Sequence, residues 1–286
     1  NWYCKNWATA TCCTRLHAHQ NLYQQNSAFI LIYIISAAFH WCHITLEYGL
    51  QMADKTTKST DPIFPEVKMN LVTPKSPVVG TVVKSEVCLK GGRKSASFVR
   101  HVEIDISGTP LEGNCRAGQS FGVIAPGEDA NGKPHKVRLY SLASPTCGED
   151  GEGKIIATTP KRVIDEFTPQ KEGDDEARHD LFLGVCSNYT CSLKVGDKVQ
   201  VTGPSGKRFL LPVDHNKHDY IFMATGTGIA PFRSMCKDLF ENPDGPTTSQ
   251  VHVVMGTPYT TDLLYDDFFV ELSENHDNFH YHAAVS

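Results

Sequence analysis

Proline is absent from the first 51 residues, although the chain has 16, and of its 22 glycines only Gly49 lies there. All three tryptophans (Trp2, Trp7, Trp41) and four of the ten cysteines (Cys4, Cys12, Cys13, Cys42) do lie there. A stretch without turn-formers does not read as globular text, so residues 1–51 are expected to be an upstream or non-native leader. The alternative is a membrane anchor or targeting signal, because Ala28 to Phe39 is almost wholly apolar. That run is about twelve residues, and a spanning helix needs about 20. A secretory signal would not carry so long and cysteine-rich a lead-in. The chain opens on Asn1, and Met52-Ala53-Asp54-Lys55 reads as a plausible start. An excess of basic residues is lacking too. The net charge of -5 argues against a nucleic-acid binder. No C-x-x-C pair and no Cys/His cluster with zinc spacing occurs, so no metal site is expected. Cys88, Cys115, Cys147, Cys186, Cys191 and Cys236 fit reduced thiols in a cytoplasm-like compartment.

A length of 286 residues allows one to three domains. Residues 52–76 are polar, with Pro62, Pro65 and Pro74, and read as a flexible arm. Short strands follow from 77 to 213: Val78–Val87, the alternation Val102, Ile104, Ile106, then Phe121–Ala125, Lys136–Leu142, Lys154–Thr159 and Lys198–Thr202. Turn-rich text separates them, which suggests a sandwich or barrel. The charged insert 169–179 reads as a solvated loop. From 214 to 286 strands alternate with helices: Asp219–Ala224, Ile229–Phe240, Gln250–Met255, Thr261–Leu272 and Phe279–Val285. That alternation means βαβ units on a parallel sheet. The few units present make that domain incomplete.

Three segments carry chemistry. In Arg138-Leu139-Tyr140-Ser141, strand periodicity puts Arg138 and Tyr140 on one face and Leu139 and Ser141 on the other. An arginine can neutralise a pyrophosphate, a tyrosine can cover a flat ring, and a small hydroxyl can approach a reacting atom. The same tetrapeptide also reads as a surface arginine beside a half-buried tyrosine. In Gly184-Val185-Cys186-Ser187-Asn188, Ser187 or Asn188 can cap a short helix running to Leu193, whose N-terminus suits phosphate. A plain N-cap over buried Cys186 and Cys191 is the other reading. Thr225-Gly226-Thr227-Gly228-Ile229-Ala230-Pro231 follows a strand and opens a helix, the context of a dinucleotide turn. Pro231 replaces the usual third glycine, which a first helical turn tolerates.

Together these segments resemble the plant-type ferredoxin–NADP(+) reductase family, over residues 74–286. The likeness is closest in 119–144, Gly184–Leu193, Gly196-Asp197, Thr202-Gly203-Pro204 and Ala224–Ser234. It implies a two-domain fold: an antiparallel Greek-key β-barrel for FAD over 77–213, followed by an incomplete Rossmann-like parallel-sheet NADP(H) domain over 214–286. It implies that Arg138 and Ser187 hold the FAD pyrophosphate, that Tyr140 with Leu139 meets the isoalloxazine, and that Ser141 stands at the reacting atom as the catalytic residue. Val185 and Cys186 would line the phosphate and ring edge, and Thr225 and Thr227 would lie between flavin and nicotinamide nucleotide. Lys161 in Pro160-Lys161-Arg162, the loop Gly256-Thr257-Pro258, and Ser286 at the 2′-phosphate would hold NADP(H).

The chain departs from the family in three places. Asp165 stands where an adenine-covering aromatic is expected, with Phe167 as a substitute. The 169–179 insert is longer than usual. A C-terminal part of the family, with its active-site cysteine, carboxylate and terminal aromatic, has no counterpart before Ser286. The activity implied is electron transfer between an acidic carrier, ferredoxin or flavodoxin, and NADP(H). Lys84, Lys90, Arg93 and Lys94 are candidates for steering that carrier, or else form a solvated loop. Two alternatives stand beside it: the reductase module of a multicomponent oxygenase, and an FAD-binding fragment without turnover. No integral membrane segment is expected in 52–286. The expected compartment is the cytoplasm, with the plastid stroma second.

Overall fold

The computed structural model describes residues 61–89, 98–166 and 181–286, together with the backbone of Leu31–Ile35. Phe167, the 169–179 insert and Lys90, Arg93 and Lys94 lie outside the described residues, as do the expected start at Met52 and the rest of the expected leader.

Twelve strands and three α-helices are described. Strand β1 (Leu31–Ile35) belongs to a four-stranded parallel sheet with β10 (Tyr220–Thr225), β11 (Val251–Thr257) and β12 (Phe279–Val285), in the order β1-β10-β11-β12. A six-stranded antiparallel sheet runs β5-β4-β9-β2-β3-β6. Its members are β2 (Val78–Val87), β3 (Arg100–Asp105), β4 (Ser120–Ile124), β5 (Arg138–Ser141), β6 (Ile155–Thr158) and β9 (Lys198–Ser205). A ribbon of β7 (Ile164–Glu166) and β8 (Leu181–Leu183) stands apart.

The expected closed Greek-key barrel is not present. The six-stranded sheet is open, with β5 and β6 at its two edges. Those edges approach each other only at the last residue of β5 and just beyond it. Ala143 N donates to Ala157 O at 2.8 Å, and Thr158 Oγ1 donates to Ser141 O at 3.0 Å. No ladder joins β5 to β6 among the described residues.

Two apolar cores fix the architecture. In the antiparallel part, alternation on β3 turns Val102 and Ile104 inward, where they meet Phe121, Val123, Ile156, Val199 and Val201. In the parallel part, Val251, Val253 and Met255 of β11 face inward with Tyr220 and Phe222 of β10. Helix α2 (Ala230–Phe240) covers them. Its buried Phe232, Met235, Cys236, Leu239 and Phe240 repeat at i, i+3, i+4, i+7, i+8. Phe222 stacks on Phe232 with centroids 4.8 Å apart. The helix stops at Glu241, just before Asn242-Pro243.

The second helix of this part begins later than its sequence suggests. α3 spans Asp266–Asn275, and Thr261 lies instead in a short 3-10 turn, Thr260–Asp262. Leu263 and Leu264 are buried, and Tyr265 takes φ 58. That left-handed turn delivers the Tyr265 hydroxyl to His101 Nδ1 at 2.8 Å and Thr159 Oγ1 at 2.5 Å. Docking on the antiparallel part overrides the helical pattern there. Asp266 and Asp267 then occupy the first turn, where the helix dipole favours them.

Candidate functional site

Strand β5 carries Arg138 and Leu139 exposed, with Leu139 at 60%. Tyr140 and Ser141 are half-buried. Tyr140 packs against the antiparallel core, and its hydroxyl accepts from Thr190 Oγ1 at 3.5 Å. Burial pushes the Tyr140 phenol well above its usual range, so it stays protonated at neutral pH.

Thr190 belongs to α1 (Val185–Ser192), whose N-cap is Gly184. The expected side-chain cap is absent: Gly184 holds the N-cap position with no side-chain bond. Ser187 Oγ instead donates to Gly184 O at 3.0 Å and accepts from Val163 N at 3.2 Å. Its hydroxyl ties the helix start to the approach of β7. A Cβ on Gly184 would lie 2.6 Å from Ser187 Oγ and 2.9 Å from Val163 Cβ, so the turn needs glycine. Cys186 points inward, its thiol 3.6 Å from Val123 O, while Val185 is half exposed.

The ribbon leading into α1 adds residues that the sequence reading missed. Val163, Ile164, Leu181, Phe182 and Leu183 are all large, apolar and exposed. Phe182 pairs directly with Asp165, the position where an aromatic was expected. Cross-strand pairing across the insert carries no local signal in the sequence. An exposed apolar shelf leading into a helix N-terminus suits a flat ring bearing a pyrophosphate.

A second cluster forms where β10 and β11 end. Lys161, Thr227, Thr257 and Pro258 line one cleft with Gly226, Leu89, Val99, Asp262 and Leu264. Thr225 stands in register opposite Gly256. Ser286 adjoins the cleft, its N–H donating to Thr257 O at 3.2 Å. Gly226 has φ +52, and the place its Cβ would take is empty space. Bare backbone at the carboxyl ends of parallel strands is where open α/β sheets receive nucleotides. Leu89, Val99, Asp262 and Leu264 are remote from the motif in sequence, and no signal marked them.

The two clusters are held together by docking of α2. Ala143, Ala157 and Ala230 form a small core of their own, which lets the helix start approach the ends of β5 and β6. Arg233 Nη1 donates to Ala143 O at 2.7 Å, and Ser234 Oγ donates to Ser144 O at 2.6 Å. Arg233 also pairs with Glu149 and lies 5.1 Å above the Tyr265 ring. Burial pushes Glu149 up, but the Arg233 bonds and charge outweigh it and hold the carboxyl below its usual range. Asp238 accepts from Thr146 N at 2.8 Å and Thr146 Oγ1 at 2.5 Å. There burial wins, and the Asp238 carboxyl is raised.

Lys84, the described member of the basic patch, lies 3.4 Å from both Glu86 and Glu103. Among the described residues no group of three ligands converges on a metal site, and no helix is long and apolar enough to cross a membrane.

The family model of the oxidoreductase NAD-binding domain matches residues 222–286. A ferredoxin–NADP reductase of Picosynechococcus sp. is 41% identical over 236 residues, covering 80% of this chain and 54% of its own length. One from Spirulina sp. is 37% identical over 224 residues, covering 77% of this chain and 72% of its own length. The solved Plasmodium falciparum ferredoxin–NADP+ reductase with 2′P-AMP superposes with a TM-score of 0.59 at 25% identity. That match covers 76% of this chain and 77% of the other. The chain thus spans about half the length of the Picosynechococcus relative. On this identity and coverage, the chain belongs to the ferredoxin–NADP reductase family.

Proposed function

We propose that the protein is a flavin-dependent oxidoreductase that moves electrons between NADP(H) and a one-electron protein carrier, ferredoxin or flavodoxin, through FAD. The observation that carries this reading is the docking of two clusters: Arg138–Ser141 with the α1 start, and the cleft of Lys161, Thr227, Thr257 and Pro258. FAD supplies the ability to exchange an electron pair with a nicotinamide and single electrons with a carrier.

The chain's own residues bind and orient. Arg138 and the backbone N–H groups around Ser187 hold the pyrophosphate by charge and the helix dipole. Tyr140, with its phenol protonated, covers the flat ring beside Leu139, and Ser141 stands at the reacting edge. Val185 and the backbone of Cys186 line the ring edge from the helix side. Thr225 and Thr227 set the nicotinamide nucleotide against the ring, a positioning effect. Lys161, Gly256-Thr257-Pro258 and Ser286 take its phosphates. The solved relative carrying 2′P-AMP supports a 2′-phosphate ligand. We assign residues 77–213 to the flavin and 214–286 to NADP(H). We place the protein in the cytoplasm, with the plastid stroma as the alternative.

The test is NADPH-dependent reduction of ferricyanide by the FAD-loaded chain. Lys161→Ala should raise KM for NADPH about tenfold, or about 1.4 kcal/mol, with kcat little changed. An inert FAD-loaded chain, followed by an equally inert chain extended past Ser286, would defeat the reading.

A further inference from the structure

The docking of α2 on the antiparallel part leaves a cavity at the far end of that helix, lined there by Lys237, Asp238 and Glu241. It encloses about 280 Å3, and a cavity of about 150 Å3 already holds a benzene ring. Ala117, Pro145, Leu210, Leu211 and Pro212 are buried and give it apolar walls. Loops of the antiparallel part and a helix of the parallel part thus share the cavity, and such junctions are where small-molecule sites occur most often. No residue of the flavin or nucleotide clusters lines it. Asp238 lies about 12 Å along α2 from Ala230, which follows the dinucleotide turn.

The ionisable groups around the cavity decide what it can hold. Lys237 is committed to Glu241 at 3.2 Å and to Glu149 at 3.6 Å. Burial holds the His215 ring below its usual range, so it is neutral at pH 7. Cys147 and Arg116 are exposed at the rim. Asp238 is left. Its half-buried carboxyl accepts from Thr146 N at 2.8 Å and Thr146 Oγ1 at 2.5 Å, and it is in no ion pair among the described residues. A carboxylate has about four acceptor positions, so some stay open. An anion with open acceptors beside apolar walls favours a ligand that brings both a cation and a ring. We infer that this cavity is a binding site for a small ring-bearing cation, an aryl amidine or amine, whose charge meets Asp238 and whose ring lies against the proline and leucine walls. Such a ligand touches the Thr146 loop on one side and α2 on the other. Its binding free energy therefore adds to the docking of the two parts.

The experiment is calorimetric titration of the full chain with benzamidine, paired with NMR spectra of the histidine rings and with iodoacetamide labelling. Benzamidine should bind at one site, shift the His215 ring signals, slow the labelling of Cys147 and raise Tm as its concentration rises. Benzoate, the same ring with the opposite charge, should do none of these. Asp238→Asn keeps an acceptor for Thr146 and should weaken benzamidine binding at least tenfold. Arg116→Gln removes the one exposed cation of the rim without touching the buried walls, and should leave the affinity equal or higher. Benzamidine that moves neither the His215 signals nor the Cys147 labelling rate would overturn the inference. So would benzoate binding as tightly as benzamidine, or an affinity unchanged in Asp238→Asn.

Discussion

Glu149→Ala removes the acidic partner of Arg233 at the junction of the two sheets. The Glu149 side chain is 9% exposed and that of Arg233 13%, so solvent screens the pair little. Deleting one member of a well-buried pair costs 3–5 kcal/mol, because the other charge is left uncompensated. The residual exposure puts this pair at the lower end, about 3 kcal/mol. Lys237, 3.6 Å from Glu149, loses the same partner but keeps Glu241 at 3.2 Å. At about 2–4 °C per kcal/mol, the loss corresponds to a Tm drop of about 6–12 °C. The double variant Glu149→Met/Arg233→Met should recover most of it, since two apolar groups leave no stranded charge. It would still lack the donor to Ala143 O, a deficit of about 1 kcal/mol. Linkage gives a second signature. The folded carboxyl lies below its unfolded value of about 4.3. The pair's stabilisation is therefore complete above that pH and is lost as pH falls through the lower folded value. Urea unfolding of the three proteins between pH 3 and 7 measures all of this. A Glu149→Ala protein within about 0.5 kcal/mol of the parent, or a double variant worse than the single, would refute the reasoning.

Asp238 should behave in the opposite way. Its folded carboxyl is raised, so it costs stability as pH climbs from its unfolded value through its folded one, and Asp238→Asn should flatten that part of the pH–stability curve. Among the cysteines of the described residues, Cys147 is the exposed one, while burial pushes Cys88 and Cys115 up to about 12. Iodoacetamide at pH 8 should therefore label Cys147 before either of them, as peptide mass spectrometry can read. Phe232→Ala should cost about 3–5 kcal/mol, because the ring is fully buried and stacked on Phe222. A denaturant midpoint close to the parent's would contradict that.

The parts of the fold legible in the sequence are those set by local periodicity. The alternation of Val102 and Ile104 and the helix-length segment Ile229–Phe240 after a strand gave β3 and α2 close to their observed limits. Features that depend on distant pairing were not legible. Whether β5 meets β6 depends on a few bonds near Ala143 and Ala157, and the sheet stays open there. The β7–β8 ribbon joins segments on either side of the insert. Tyr265 breaks the expected helix because its hydroxyl is bound by His101 and Thr159 on the other part of the molecule. Of the candidate site, the sequence named residues whose meeting it could not show. Lys161, Thr227, Thr257 and Pro258 come from separate stretches of chain and meet in one cleft. The capping role given to Ser187 was misplaced, because a hydroxyl three residues past Gly184 bonds backward to that residue's carbonyl.

The most direct test of the central claim is the visible absorption spectrum of the purified chain, followed by release and identification of the bound chromophore. The account predicts a yellow protein carrying FAD near one per chain, and a colourless but folded Arg138→Ala variant. A folded parent that is colourless and takes up no added FAD would contradict it, because the Arg138–Ser141 strand and the start of α1 would then have no flavin to hold.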